Sequence, residues 1–340
     1  MKLETVAVIG GDSLLGREIR ELAESYIPGA RMKLIGADEE EGGMVLSAEA
    51  GEAVVITQLD EDALGKANVA VLAGTVNASR KAYGLLSKWP KAPLIVDLTH
   101  TLEDNAQARL RAPMAEPAGY APEEGVIHVI AQPAAIALAL LFGRLHGAHP
   151  IRRAVVQVFE PASERGQRGL NELQQQTTGL LTFQKLDKAV YDEQVSFNML
   201  SRYGADAPLS LGDIELRIDR HLATLLSHLG HIPMPSLRVV QAPVFHGYTF
   251  SVWVEFIENP GTAALARSLA GTLIEVRTGE EEPPTNVGVT GQQGLLVGSL
   301  ETDRNHPQAA WLWAVADNLH LMAENALMVT QSLLSPESAV

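Results

Sequence analysis

Residues 132–135 form a turn between an apolar strand and an apolar helix, within the run VIHVIAQPAAIALALL at residues 126–141. Enzymes often place a nucleophile at such a turn, because a helix N-terminus lowers the pKa of a thiol and stabilises developing negative charge. Here the turn carries the methyl group of Ala135, and the whole chain contains no cysteine. Disulfides, thiolate metal sites and cysteine nucleophiles are therefore excluded.

Tyr248 and His246 are two residues apart in a strand-like segment, so their side chains are predicted to share one face. A tyrosine hydroxyl beside a histidine is able to polarise a carbonyl for hydride transfer. Aromatic residues at this spacing are, however, more often packing residues of a half-buried strand. The sequence leaves both interpretations open.

Three histidines, His221, His228 and His231, follow the spacing H-x6-H-x2-H near the end of a predicted helix. This spacing resembles a metal site only loosely, and a surface or dimer-contact role is favoured. Thr99 and Ser163 have no histidine or acidic partner at a recognisable spacing. The sequence therefore predicts neither a metal site nor a serine-type catalytic triad.

The segment GGDSLLG follows a short apolar strand and precedes a helical pattern, which is the order of a dinucleotide-binding βαβ unit. Gly10, Gly11 and Gly16 fit the glycine pattern, whereas Ser13 stands where related patterns have a central glycine. The segment predicts a Rossmann-type fold. Whether a nucleotide binds stays open, since Gly10 and Gly16 would also permit close strand–helix packing alone.

An acidic run, DEEE at residues 38–41, follows the second strand at residues 32–35. An acidic residue such as Asp38 would accept a hydrogen bond from a ribose 2′-hydroxyl, and four carboxylates would repel a 2′-phosphate. The run favours NAD over NADP, or else is a solvated loop. Further buried parallel strands are predicted at residues 68–72 and 93–97, with a helix at 78–88 between them.

The pattern changes after Pro150, where the alternating segments of an antiparallel sheet appear. Strands are predicted at residues 153–159, 237–243 and 246–257, and an amphipathic helix at 213–229. This pattern predicts a second, α+β domain with a mainly antiparallel sheet. The final segment, residues 309–334, contains a long helix that is predicted to pack on the first domain.

The composition is that of a globular protein of two domains, with 340 residues and a net charge of −15. This charge disfavours binding to nucleic acid or to anionic membranes. The sequence shows no run of about 18 apolar residues and no cleavable signal, which predicts a cytoplasmic protein that does not span a membrane.

Five motifs together resemble the aspartate-β-semialdehyde dehydrogenase family, in particular a paralogous branch of it; they are VAVIGGDSLLGREI, VIAQPAAIALAL, APVFHGYTFSVWVEF, LLVGSL and WLWAVADNL. The resemblance implies a Rossmann-type NAD(P)-binding domain at residues 1–134 plus 309–340, and a catalytic and dimerisation domain at 135–308. It also implies a homodimer formed largely through the second sheet. Active members reduce an aspartyl phosphate through a thioester, with the reduced form of NADP, NADPH, as hydride donor. The implied cofactor contacts are Gly10, Gly11, Ser13, Leu14, Leu15, Gly16, Asp38, Ala73, Gly74 and Asn318.

The family's catalytic and substrate positions carry other residues in this chain. The nucleophilic cysteine corresponds to Ala135, the general-base histidine to Tyr248 and the substrate-binding arginine to Gln241. The substrate-site glutamine corresponds to Glu160 and the phosphate-binding arginine to Glu103. A carboxylate at the last position would repel an acyl phosphate by about 1 kcal/mol at about 4 Å, depending on screening. The resemblance thus predicts that the family reaction is lost.

Three functions remain compatible with these residues. The first is a non-catalytic homodimer that binds a dinucleotide, a small molecule or a partner protein. In that case the helix N-terminus at Ala135 would hold an anion or carbonyl oxygen without attacking it. The second is an NAD(P)-dependent oxidoreductase acting on another carbonyl through Tyr248 or His246. The third is a subunit that associates with an active dehydrogenase of the family.

Overall fold

A computed structural model of the chain describes residues 4–36, 45–49, 52–120, 127–279 and 281–334. The chain forms two compact units: unit 1 comprises Met1–Pro113, Pro117–Ala131 and Met322–Val340, and unit 2 comprises Met114–Glu116 and Gln132–Leu321. These bounds differ from the predicted ones, 1–134 with 309–340 and 135–308. The reason is that the strand Ala309–Ala316 pairs within the sheet of unit 2.

Unit 1 contains an eight-stranded sheet in the order β3-β4-β2-β1-β5-β6-β8-β7. Its described elements are β1 (Thr5–Ile9), α1 (Leu14–Tyr26), β2 (Arg31–Ile35), β3 (Val45–Glu49), β4 (Glu52–Thr57), α2 (Glu61–Leu64), β5 (Val69–Leu72), α3 (Val76–Leu86), β6 (Leu94–Asp97), β7 (Ala108–Arg111) and β8 (Ile127–Ile130). The pairings are parallel except that β3 is antiparallel to β4. The central strands are continuous apolar runs because they are buried on both faces.

Unit 2 contains a six-stranded sheet in the order β10-β9-β11-β14-β13-β12. Its described elements are α4 (Pro133–Ala148), β9 (Ile151–Glu160), a 3₁₀ turn (Ala162–Arg165), α5 (Gly166–Leu181), α6 (Leu211–Leu229), β10 (Ser236–Gln241), β11 (Tyr248–Phe256), α7 (Thr262–Leu269), β12 (Ile274–Val276), β13 (Leu295–Thr302) and β14 (Ala309–Ala316).

The predicted α/β fold with a second sheet is confirmed, although the second sheet is mixed rather than mainly antiparallel. Strand β11 is antiparallel to β9 and β14, and β13 is antiparallel to β14. In contrast, β10 is parallel to β9, and β12 is parallel to β13. Helices α5 and α6 lie between β9 and β10 in the chain, and such a long connection allows the chain to return in the same direction.

The two faces of the unit 2 sheet differ in what covers them. The apolar helix α4 packs against β9, α6 and α7. Alternate residues of three neighbouring strands lie on the opposite face, which we call the open sheet face: Val155, Phe159, Trp253, Trp311 and Trp313. Val155 is 50% exposed and Trp311 is 44% exposed. A folded chain seldom leaves a row of such side chains without a partner.

The C-terminal helix α8 (Asn318–Leu334) belongs to unit 1 from Met322 onward. Within that unit the hydroxyl of Tyr26 donates a 2.6 Å hydrogen bond to Glu324. None of the helices in the described ranges is both long enough and apolar enough to span a membrane.

Candidate functional site

The N-terminus of α4 is capped by the side chain of the residue that precedes the helix. Gln132 is the N-cap of α4, and its carbonyl oxygen accepts the N–H groups of Ala134 at 2.6 Å and Ala135 at 3.3 Å. Pro133, at the first helical position, has no N–H to offer. The predicted anion or carbonyl site at this helix N-terminus is therefore filled by an amide of the chain itself.

His221, on α6, supports the same turn from a second side. It is buried, and its Nδ1 accepts the backbone N–H of Gln132 at 3.0 Å, which places the ring proton on Nε2. The expected surface or dimer-contact role is therefore wrong for His221, because the helix face that carries it points into the core. His228 is half-buried and His231 is exposed. Within the described ranges, no group of three or more histidine or acidic side chains is arranged to hold a metal ion.

Tyr248 is completely buried at the start of β11. Its hydroxyl accepts a 2.6 Å hydrogen bond from the amide nitrogen of Gln132 and donates to Glu160 at 3.2 Å. Burial, followed by the negative charges of Glu160 and Glu164, raises the pKa of Tyr248 well above its usual value. The residue predicted to occupy the family's general-base position is thus a neutral phenol whose hydroxyl is hydrogen-bonded to neighbouring side chains.

His246 does not share a strand face with Tyr248, contrary to the prediction. Strand β11 begins at Tyr248, and Gly247 has a φ of +83°, which turns the chain before the strand starts. The backbone oxygen of His246 accepts a hydrogen bond from the side-chain amide of Asn286 at 3.3 Å. The predicted tyrosine–histidine pair therefore has no geometric basis.

Glu160 ends β9 and is completely buried. It forms an ion pair with Arg165, at 3.1 Å between Oε1 and Nη2. Burial raises the pKa of the Glu160 carboxyl, and the charge of Arg165 opposes that effect. Tyr203 donates to Gln241 at 2.6 Å, and the Gln241 amide nitrogen donates to the backbone oxygen of Glu160 at 2.9 Å.

Glu164 places a second carboxyl beside the same guanidinium. Asn318 donates to its Oε1 at 2.7 Å, and Gln132 approaches its Oε2 at 3.4 Å. Burial, together with the negative charge of Glu160, raises the pKa of Glu164 to about 7. One guanidinium here lies beside two buried carboxyls, so its charge offsets only one of them, and the protonated form of the second is favoured.

These contacts join one set of side chains within unit 2, which we call the buried network: Gln132, Glu160, Glu164, Arg165, Tyr203, Gln241, Tyr248 and Asn318. The structure brings three of the predicted family positions together in it, Glu160, Gln241 and Tyr248. Glu103 belongs instead to unit 1, where its negative charge acts on the buried carboxyl of Asp97.

Asn318 was predicted to contact a cofactor, but its side-chain amide is bonded within unit 2. Its nitrogen donates to Glu164, and its oxygen accepts from the hydroxyl of Ser163 and the backbone N–H of Gly247, both at 3.1 Å. Ser163 therefore faces an amide oxygen rather than a base. In unit 1, the hydroxyl of Thr99 donates to Asp97 at 2.7 Å.

The glycines after β1 are required by packing against protein atoms. Gly10 has a φ of +89°, and a Cβ added there would lie 2.2 Å from the Cα of Gly74. A Cβ on Gly16 would lie 2.0 Å from the backbone oxygen of Gly10, and one on Gly11 would lie 2.8 Å from the Cβ of Leu34. The glycine pattern thus has a complete structural explanation that does not involve a ligand.

Ser13 caps α1, since its hydroxyl accepts the N–H of Gly16 at 2.9 Å and donates to the backbone oxygen of Ala73 at 2.7 Å. Leu14 and Leu15 form the first turn of α1, where helix geometry provides N–H groups without intrahelical acceptors. This turn differs from the start of α4, whose N–H groups are already bonded. Asp38, predicted to select NAD, lies outside the described residues.

Sequence reasoning missed Glu164 and Arg165 as site residues. Both lie in the 3₁₀ turn that follows Glu160. The available signal was the acidic residue at the end of a buried strand, because a buried carboxylate requires a positive partner and hydrogen-bond donors. The other partners of Glu160, Tyr203 and Tyr248, lie far from it in the sequence, so no local pattern predicted these contacts.

Comparison with known proteins agrees with this architecture. Residues 143–321 match the family model described as semialdehyde dehydrogenase, dimerisation domain. A USG-1 protein homolog from Pseudomonas aeruginosa is 27% identical over 334 residues, covering 97% of each chain.

Solved structures resemble the whole chain. The structure of a probable aspartate-semialdehyde dehydrogenase from Pseudomonas aeruginosa has a TM-score of 0.82 at 26% identity and covers 100% of both chains. An aspartate semialdehyde dehydrogenase with NADP from Candida albicans shares the fold, with a TM-score of 0.68 at 12% identity and 100% coverage of both chains. The matched model spans more than half of this chain, which therefore belongs to the aspartate-semialdehyde dehydrogenase family.

Proposed function

We propose that this chain is a cytoplasmic, homodimeric member of its family that has lost the dehydrogenase reaction and acts by binding. The observation that carries the proposal is the side chain of Gln132, which bonds the N–H groups of Ala134 and Ala135. In the family resemblance this helix start holds the nucleophile. In this chain the helix start carries the methyl group of Ala135, and the side-chain amide of Gln132 caps it.

The buried network supports the same proposal energetically. A substrate entering it would have to separate partners such as Tyr248 from Gln132 and Glu160. Each buried polar group left without a partner costs about 1–3 kcal/mol. Loss of a covalent nucleophile alone removes several orders of magnitude in rate. The contacts of Tyr248 do not favour its use on another carbonyl substrate, since its hydrogen-bond partners are protein side chains.

Unit 1 supports binding of a dinucleotide. The first turn of α1, at Leu14 and Leu15, fits the pyrophosphate through its N–H groups, and Gly10 and Gly16 keep the preceding turn tight. Such a cofactor, when bound, supplies or accepts a hydride. The acidic run at residues 38–41 favours NAD in this chain, whereas the Candida albicans relative of the same fold holds NADP.

The open sheet face supports a homodimer. All six strands of the unit 2 sheet, from Ile151 to Ala316, lie within the segment matched by the dimerisation-domain model. Val155, Trp253 and Trp311 lie side by side on neighbouring strands. The indole N–H groups of Trp253 and Trp311 both donate to Asp303, at 2.7 and 3.1 Å, and this fixes the two rings. Rigid aromatic side chains of this kind are typical of interface centres.

The decisive test combines binding with turnover. Isothermal titration with NAD and NADP is expected to show binding, tighter for NAD, while NADH and NADPH mixed with a panel of aldehydes give no hydride transfer. Turnover that disappears in Tyr248→Phe would refute the non-catalytic proposal, and tighter binding of NADP would refute the preference for NAD. Co-purification of a mixed dimer with an active family dehydrogenase would instead favour a role as that enzyme's subunit.

A further inference from the structure

The completely buried carboxyl of Glu160 is held by side chains from other parts of unit 2. Its Oε1 forms the 3.1 Å ion pair with Nη2 of Arg165, and its Oε2 accepts a 3.2 Å hydrogen bond from the hydroxyl of Tyr248. The hydroxyl of Tyr203 lies 3.4 Å from Oε1. A guanidinium and hydroxyl groups that converge in this way are the means by which proteins bind carboxylate ligands.

The donors are positioned by contacts that do not involve that carboxyl. Arg165 belongs to the 3₁₀ turn, whose Ala162 N–H donates to the backbone oxygen of Val244 at 2.8 Å. The hydroxyl of Tyr248 accepts the 2.6 Å hydrogen bond from Gln132. A site whose donors are fixed before the ligand arrives binds it at a lower entropic cost. The donors are therefore expected to keep their places when the carboxyl is removed.

The backbone of Glu160 is fixed as well. Its oxygen accepts the N–H of Ala242 at 3.0 Å and the side-chain amide of Gln241 at 2.9 Å. Replacing Glu160 by alanine removes Cγ, Cδ and both carboxylate oxygens, which are the heavy atoms of acetate. Because a packed interior relaxes only partly around a deleted side chain, the substitution leaves a cavity of about the size of acetate.

The guanidinium has one donor to spare. Within the described ranges, the buried Nε of Arg165 has no hydrogen-bond partner. Arginine binds carboxylates most strongly when two of its N–H groups are used. A free carboxylate has no chain attached to it and is able to turn toward this donor. The unused donor thus favours a ligand-binding arrangement over an ion pair that serves folding alone.

We propose that the buried network is a carboxylate-binding site whose occupant is the chain's own Glu160, an autoinhibitory contact that excludes free carboxylates of the size of acetate. A tethered group is present at a high effective concentration, so it outcompetes a free ligand for the same donors. The inference stands on contacts within unit 2. It is therefore independent of the proposed homodimer and of dinucleotide binding.

Acetate binding to Glu160→Ala tests the proposal. Urea unfolding, followed by tryptophan fluorescence, is measured in sodium acetate and in sodium chloride at the same concentration. With acetate at about ten times its dissociation constant, the folding equilibrium constant of the variant should rise about tenfold. Acetamide has the same shape without the charge and should give no such rise. Wild type should bind acetate at least about a hundredfold more weakly, because Glu160 fills the site.

Glu164 lies beside the same guanidinium and is the competing partner inside the chain. The double variant Glu160→Ala/Glu164→Gln removes this competitor and a neighbouring negative charge. It should therefore bind acetate more tightly than Glu160→Ala does, and isothermal titration measures the two dissociation constants. An acetate affinity that is no higher in the double variant would show that the guanidinium is not the group that binds acetate, and would overturn the proposal.

Glu255→Ala is the matched control for the loss of a paired carboxylate. The side chain of Glu255 is only 3% exposed, but its partners Arg152 and Arg153 are 71% and 66% exposed. Solvent-exposed guanidinium groups form weak ion pairs, so acetate should not stabilise this variant beyond the chloride reference.

The remaining outcomes decide the proposal. An equal acetate response in Glu160→Ala and Glu255→Ala, or no response in either Glu160 variant, overturns the site. Acetate binding by wild type as tight as that of Glu160→Ala overturns the autoinhibitory contact. If the variants do not fold in buffer, refolding from urea decides: native fluorescence that returns in acetate but not in chloride supports the proposal, and no return in acetate overturns it.

Discussion

The carboxyl of Glu164 is expected to make the stability of unit 2 fall as pH rises. Its pKa is raised from 4.5 to about 7, first by burial and then by the negative charge of Glu160. The folded state therefore keeps a proton that the unfolded chain has already released. The contribution to stability is fully present below about pH 4.5, declines above it, and is lost as pH passes through about 7.

The size of the effect follows from these two values. Between about pH 5 and pH 8 the linkage amounts to about 2.5 kcal/mol, taking about 1.36 kcal/mol per pKa unit. Arg165 and the amide of Asn318 favour the charged form and are already included in the pKa of about 7. Glu164→Gln keeps the size of the side chain and removes its proton equilibrium, so the variant should lack this part of the pH dependence.

The assay is urea unfolding of wild type and Glu164→Gln at both pH values, followed by tryptophan fluorescence. Three of the four tryptophans, Trp253, Trp311 and Trp313, lie in unit 2, so the signal reports mainly on the unit that contains Glu164. Glu258→Gln, at an exposed position of the same unit, is the control. Equal pH dependence in wild type and Glu164→Gln, within about 1 kcal/mol, would show that Glu164 does not hold the proton.

Three further substitutions test the site and the turn. Gln132→Ala removes the cap of α4 and a donor to Tyr248, so thermal denaturation should show a loss of about 1–3 kcal/mol; an unchanged melting temperature would contradict the assigned bonds. Ala135→Cys should not restore the family reaction, because Glu160, Gln241 and Tyr248 remain. The assay is NADPH formation from aspartate semialdehyde, NADP and phosphate. Recovered activity would show that the rest of the site was misjudged. Gly10→Ala should destabilise unit 1 by about 2–4 kcal/mol, since its Cβ would overlap Gly74, and a wild-type unfolding curve by circular dichroism would refute this packing role.

The fold was largely predictable from local patterns. Continuous apolar strands and the strand–glycine–helix order at Gly10 predicted unit 1, because a parallel sheet buried on both faces imposes that pattern. The mixed order of the second sheet was not predictable, since β10 pairs in parallel with β9 across a connection of about 75 residues. The pairing of β14 with β11 and β13 was not predictable for the same reason, because tertiary contacts alone define it.

The sequence predicted single positions of the candidate site but not the hydrogen-bond network that joins them. The family resemblance located Ala135, Glu160, Gln241 and Tyr248, and the absence of cysteine needed no structure. The resemblance did not reveal that the side chain of Gln132 forms hydrogen bonds both to the start of α4 and to Tyr248. The predicted placements of His221 and His246 failed for different reasons. His221 is buried by contacts distant in sequence, and the chain turns at Gly247, between His246 and the start of β11.

The buried network also limits how this sequence can change over time. Glu160 has Arg165 and Tyr248 as partners, so replacing either residue alone leaves a carboxylate in the interior with too few donors. A path of single substitutions back to the family's catalytic set would therefore pass through poorly folded intermediates. Under the proposal that the family reaction has been lost, these couplings between neighbouring side chains would let selection on stability alone keep the present residues in place.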